Sequence, residues 1–311
     1  MRDVYVVGVG MTHFGRFPEQ SVRSLAEEAI GLALGDAGAT HGDIEAITFA
    51  NAVQDAMEGQ FGIRGQVALS RLPFDAVPII NVENACASAT TAFNLAMLQI
   101  QSGAVEVALA VGSEKMVHPD SALSMAAFEG SWDRAGRDET LARLSQLGRD
   151  TPTPPEEAAR ESQRTVFMDI YASFAKYHMA RFGTTQRQLA AVASKNHWHS
   201  ARNPKAQFRF EASIDEVLAA RRIAWPLTLP MCSPISDGGA AAIVCSKSAL
   251  DRFDKSRAVR VLASVMGTGV KRAPEDLEKH ITRRTALRAY QQAGIGPDDI
   301  DVAEVHDATA M

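Results

Sequence analysis

Short apolar runs alternate with amphipathic stretches through the first third of the chain. Val4–Val9 is rich in β-branched residues and ends at a glycine, which predicts a buried strand. Ser21–Ala37 sets Leu25, Ala29, Ile30, Ala33 and Leu34 at helical spacing and stops at Gly38, a C-cap signal. Ile44–Phe49, Ile79–Val82 and Val105–Val111 predict three further strands. Asn84 to Val105 holds no charged residue. It is nonetheless too polar for a membrane span, with Asn84, Ser88, Thr90, Thr91, Asn94, Gln99, Gln101 and Ser102, and predicts a buried helix. Strands alternating with helices point to a mostly parallel sheet with helices on its faces.

The pattern breaks from Met116 to about Thr165, where scattered Arg and Met lead to Thr151-Pro152-Thr153-Pro154-Pro155, an excursion from the core. Helical spacing resumes at Val166–Phe182. A capping-box pattern, Thr185-Gln186-Arg187-Gln188, opens another helix that ends near Asn203-Pro204. Order returns at Ile223-Ala224-Trp225, then at Ser236-Asp237-Gly238-Gly239 and the strand Ala241–Cys245. The opening unit then restarts. Ala37-Gly38 aligns with Ala293-Gly294, and Asp43-Ile44 with Asp299-Ile300, at one constant offset. Each copy is expected to run on into a strand, Ala46–Phe49 or Val302–Val305, so the core is read as a duplication. The first copy goes on to an inner helix and another strand, whereas the second breaks off soon after Val305. The sequence is therefore expected to stop mid-domain.

Composition narrows the function classes. The 311 residues include 32 Lys+Arg against 37 Asp+Glu, with 46% hydrophobic and 22% charged residues. A net charge of −5 with no basic stripe argues against nucleic-acid binding. Cys86, Cys232 and Cys245 form no C-x-x-C pair, so neither a disulfide framework nor a zinc site is expected. A strand-like run directly after Met1-Arg2-Asp3 leaves no room for a signal peptide, and the expected setting is a reducing cytoplasm.

Cys86 is the sharpest chemical candidate. It lies between the strand Ile79–Val82 and the helix opened by Ala87-Ser88-Ala89-Thr90-Thr91. A thiol at a helix N-terminus meets unpaired N–H groups that favour thiolate, and small neighbours admit a substrate. The alternative is a buried structural cysteine. His306-Asp307 is expected to close a strand, where α/β sheets gather functional groups; the alternative is a hydrogen-bonded surface histidine. Ser236–Gly239 suits a turn where backbone approaches something, or a plain loop-to-strand turn. Gly8-Val9-Gly10 lacks the third glycine of a dinucleotide fingerprint. His197-Trp198-His199 sets its histidines on helical positions that point apart, with no third ligand, so no metal is expected. The Met-rich stretch Met116–Met125 reads as adaptable packing.

Together these segments resemble a thiolase, most like the sterol-carrier-protein-x type and its bacterial and archaeal relatives. The matching stretches are Asn84–Ala89, Val111–Met116, Lys195-Asn196-His197 through Asn203-Pro204, Ser236–Ala241 and Glu304–Asp307, in family order. The resemblance implies an α/β fold with a duplicated αβαβα layered core, an inserted loop domain and a second core half cut short. Residues 1–115 and 211–250 would form the N-terminal core, 116–210 the loop domain covering coenzyme A, and 251–311 the incomplete C-terminal core. By position, Cys86 matches the acyl-accepting nucleophile and His306 the His-Asp motif that helps bind the thioester oxygen. Ser233 matches a serine lining the pantetheine tunnel. Ile79–Val82 falls where family members pair as homodimers. The implied activity is CoA-dependent acyl transfer on a 3-oxoacyl-CoA, with coenzyme A as co-substrate. Thiolase-fold aldolases and non-catalytic acyl-CoA-binding subunits, working with an OB-fold/zinc-ribbon partner, are the alternatives. The family's Gly-His-Pro histidine and Cys-x-Gly cysteine are not in this sequence, and a longer chain is expected to carry them.

Overall fold

The computed structural model describes residues 2–158, 164–273 and 275–311. In chain order the elements are β1 (Val4–Met11), α1 (Val22–Ala37), β2 (Ala46–Ala50), α2 (Gln54–Glu58), α3 (Arg64–Leu69), β3 (Ile79–Val82), α4 (Ser88–Ser102) and β4 (Val107–Glu114). Then come α5 (Ser121–Glu129), α6 (Arg137–Leu147), α7 (Pro155–Ala158), α8 (Val166–Phe182), α9 (Gln186–Arg202), α10 (Ile214–Ala219), β5 (Arg222–Ala224) and β6 (Leu227–Thr228). The chain continues through β7 (Gly238–Ser246), β8 (Val259–Val261) and α11 (Ile281–Ala293). It divides into two compact units, Met1–Pro119 with Asp237–Ala303, and Asp120–Ser236 with Glu304–Met311. The excursion read from Met116 to about Thr165 is largely helical; its residues 159–163 lie outside the described ones.

The first unit is built on a six-stranded sheet in the order β3-β2-β4-β7-β1-β8. β2 pairs in parallel with β3 and β4, whereas the β4–β7, β7–β1 and β1–β8 pairs are antiparallel. The sheet is therefore mixed rather than mostly parallel. The difference comes from β7, which returns directly beside β4 and needs no crossover helix.

Side-chain alternation along the strands sorts the two faces. Val107, Leu109 and Val111 of β4, with Ala241, Ile243 and Cys245 of β7, pack under α1 through Ala26, Ala29, Ile30 and Ala33. Ala108 and Ala110, with Val244, face Ala96, Met97 and Ile100 of α4. β1 bulges between Val6 and Gly8, which turns Gly8 and Gly10 toward α1. A Cβ on Gly10 would stand 2.2 Å from the Ala29 carbonyl oxygen. Close helix packing, rather than a phosphate, accounts for this glycine pair.

The repeat is visible in local geometry. α1 ends at Gly38 with φ 64°, and Thr40 N–H then donates to Asp43 Oδ2 at 2.9 Å before β2. α11 ends at Gly294 with φ 72°, and Gly296 N–H donates to Asp299 Oδ2 at 2.8 Å. The packing differs. α1 buries eight residues and α11 none. The expected strand at Val302–Val305 is absent; both valines are exposed, at 83% and 77%. β2 forms as a strand because β3 and β4 flank it, and among the described residues no strand pairs with 302–305.

The second unit gathers Ala172, Ala175, Leu189, Ala190, Ala193, Val217, Ala224, Leu227 and Met231 into its own core beneath α8, α9, α10 and the β5–β6 pair. Its terminal segment runs alongside residues 231–233. Ala310 N–H donates to the Met231 carbonyl at 2.8 Å, and Cys232 and Thr309 form an antiparallel bridge.

Candidate functional site

In the first unit, Cys86 follows the carboxyl end of β3 and sits exposed in the single turn Ala85–Ala87 that leads into α4. Parallel strands direct their carboxyl ends to where α/β sheets place ligands. The turn is tightly held. Ala85 has φ 45°, a left-handed conformation that costs a non-glycine residue about 1–3 kcal/mol. Ser88 Oγ accepts the Asn84 N–H at 2.8 Å and donates to the Ala85 carbonyl at 2.7 Å. Glu83 Oε1 accepts the Ala85 N–H at 2.7 Å, and Asn84 Nδ2 donates to Thr91 Oγ1 at 2.9 Å. No side chain caps the N-terminus of α4.

The other thiols differ. Cys245 lies in the sheet core and Cys232 is half-buried against the Thr228 carbonyl. Burial pushes both thiols up to about 12. Cys86 is thus the exposed thiol of the three.

Ser233 and the His306-Asp307 pair belong to the second unit. Ser233 N–H and Oγ both donate to the Ala308 carbonyl, at 3.0 and 3.1 Å. Asp307 Oδ2 accepts from Asn196 Nδ2 at 3.3 Å, and His306 is exposed. The structure therefore brings Ser233 close to the segment carrying His306, while Cys86 stands in the other unit. His306 lies in an irregular segment and not at the end of a strand.

His197 is buried and stacks on Phe210 at 4.8 Å, while His199 is exposed. Among the described residues no group of three His, Cys, Asp or Glu side chains is placed to hold a metal ion.

Two buried carboxyls lie within stretches the sequence singled out, Ser236–Gly239 and Val111–Met116, without a role for either side chain. Asp237 is fully buried and accepts four donors: Lys115 Nζ at 2.7 Å, Met116 N–H and Val117 N–H at 2.8 Å, and Phe17 N–H at 3.0 Å. Beside it, a Cβ on Gly239 would stand 2.8 Å from the Leu25 carbonyl oxygen, so the backbone approach expected at Ser236–Gly239 is to α1. Glu114 accepts from Asn51 Nδ2, Ala52 N–H and Val53 N–H. Burial pushes its carboxyl up to about 7, against the pull of those donors and of Arg64. The visible signal was a charged residue at a strand end: Glu114 closes β4 and Asp237 directly precedes β7.

Comparison with known proteins fits this architecture. Residues 4–217 match the thiolase N-terminal domain. The chain belongs to the thiolase family. Bovine sterol carrier protein 2 is 34% identical over 313 residues, covering 98% of this chain and 54% of that protein. The chain thus spans about half the length of that relative. The acetyl-CoA acetyltransferase of Methanothermobacter thermautotrophicus is 32% identical over 316 residues, covering 100% of this chain and 75% of that enzyme. Among solved structures, the Ltp2–ChsH2(DUF35) aldolase shares the fold with a TM-score of 0.70 at 22% identity, covering 99% of this chain and 74% of that one.

Proposed function

We propose that this chain carries the nucleophile of a CoA-dependent acyltransferase that cleaves, or in reverse forms, a 3-oxoacyl-CoA. The observation that carries the reading is Cys86, exposed in a strained, hydrogen-bonded turn at the head of α4 while Cys232 is half-buried and Cys245 buried. Its thiolate would attack the 3-keto carbon. The C2–C3 bond then breaks, its electron pair leaves as the enolate of acetyl-CoA, and that enolate takes up a proton. The thiol of a second CoA gives up its proton and displaces the acyl group from Cys86. A covalent intermediate splits one difficult cleavage into two easier steps. His306 is assigned to hydrogen bonding of the negatively charged oxygen, and Ser233 to the pantetheine arm, both by family position. The loop domain spanning 116–210 would cover coenzyme A.

No helix among the described residues is long and apolar enough to cross a membrane. We assign the chain to a reducing cytoplasm, in keeping with its three free cysteines. Copies of the chain are proposed to pair through the edge strand β3, whose Ile80 is exposed.

The fold shared with the Ltp2–ChsH2(DUF35) aldolase favours one alternative: carbon–carbon cleavage without acyl transfer, with an OB-fold/zinc-ribbon partner. Retro-aldol cleavage needs no thiol nucleophile. Incubating the full-length protein with radiolabelled 3-oxoacyl-CoA, then quenching and mapping peptides by mass, separates the two. An acyl adduct is expected on Cys86, with adduct and thiolysis both lost in Cys86→Ala. Cleavage that persists in Cys86→Ala would overturn the acyltransferase reading.

A further inference from the structure

Two stretches that the sequence singles out, Lys195-Asn196-His197 and Glu304–Asp307, meet within the second unit. The bond between them, Asn196 Nδ2 to Asp307 Oδ2 at 3.3 Å, joins residues 111 positions apart. Its α9 side is firmly held. Leu189, Ala193 and Asn196 follow at helical spacing, so Asn196 continues the stripe that packs into the unit's core and sits half-buried at its rim. Next to it His197 is buried against Phe210, and two residues earlier Ser194 Oγ donates to the Ala212 carbonyl at 2.6 Å.

The other side hangs from residues 231–233. Ser233 N–H and Oγ fix the Ala308 carbonyl, and the Met231 carbonyl takes the Ala310 N–H. Thr309, between those two ties, is buried. Before this short ladder the chain has little to hold it. Residues 304–307 are exposed and irregular, and the His306 ring makes no hydrogen bond among the described residues. Asp307 is the last residue short of the ladder, and Asn196 is its one side-chain partner among the described residues.

We propose that Asn196 is a positioning residue: by holding Asp307 it sets where His306 stands. Its bearing on the reaction rests on the role assigned to His306 above; the hold itself does not. An exposed histidine on an irregular segment samples many positions, whereas stabilising a developing charge needs a donor already in place. With Asp307 tied by its side chain and Ala308 by its carbonyl, the backbone of His306 has few torsions left to turn about. An amide suits the task because it donates to a carboxylate without adding a charge.

Swapping the two side chains in the full-length protein tests the hold. Asn196→Asp sets two carboxylates against each other, whereas Asn196→Asp combined with Asp307→Asn rebuilds the bond with its direction reversed. The first readout needs no substrate: the backbone order parameter of His306, measured with nitrogen-15 placed in histidine alone. It should be about 0.85 in the unaltered protein, fall below about 0.6 in Asn196→Asp and recover in the double variant. Asn196→Ala, which only deletes the amide, should lower it as well and keeps the test decisive if the carboxylate variant fails to fold. The second readout is cleavage of acetoacetyl-CoA, where kcat should fall about tenfold in Asn196→Asp with KM within about twofold, and recover in the double variant. An order parameter that is the same with and without the Asn196 amide, or that stays low in the double variant, would overturn the hold. An order parameter that behaves as expected while kcat never moves would keep the hold and remove His306 from the chemistry.

Discussion

At the scale of single residues, burial separates groups that one amino-acid type would leave equivalent. Cys86 is exposed, while burial holds Cys232 and Cys245 near 12. Iodoacetamide at neutral pH should therefore label Cys86 first, as peptide mapping over time would read; faster labelling of either other thiol would remove the assignment. Asp237 makes the opposite point, since its importance lies in having no access to water. Asp237→Asn leaves the Lys115 ammonium buried without a countercharge, and removing one partner of such a pair costs about 3–5 kcal/mol. The urea midpoint should fall accordingly, and adding Lys115→Met should recover part of the loss. The place of Cys86 at the start of a helix was legible in the sequence, from the small residues that follow the strand. Asp237 and Glu114 were not, because their partners are backbone amides brought in by distant segments, which no local pattern displays.

At the scale of elements, legibility followed the source of the stabilising contacts. α1, α8 and α9 appear where spacing and caps place them, since their hydrogen bonds are internal and their ends are set by Ser21, Thr185 and the glycines at 38 and 183. Strands depend on neighbours, so the apolar run at 302–305 could not announce whether it would pair. Two glycines near α1 make this testable with opposite signs. Gly10→Ala would push a Cβ into the Ala29 carbonyl and should destabilise by about 1–3 kcal/mol. Gly31→Ala, where a Cβ meets nothing within 4 Å in mid-helix, should stabilise by about 0.5–1 kcal/mol. Thermal unfolding of the two variants would read both, and equal shifts would contradict this packing.

At the scale of the molecule, the duplicated local geometry around Gly38 and Gly294 was readable as a constant offset, whereas the division into two units depends on contacts that sequence does not list in order. The exposed edge at β3 leads to an expected dimer in sedimentation velocity, and a stable monomer at micromolar concentration would remove that expectation. The sheet has a wider consequence. β4 and β7 are adjacent antiparallel strands, Glu114 opposite Gly238, and the Asp237 carboxylate touches the amides of Met116 and Val117. Topologically, everything from Asp120 to Ser236 is the loop of a hairpin. Such a loop can be lengthened, trimmed or traded between lineages as a cassette without shifting a rung of the sheet.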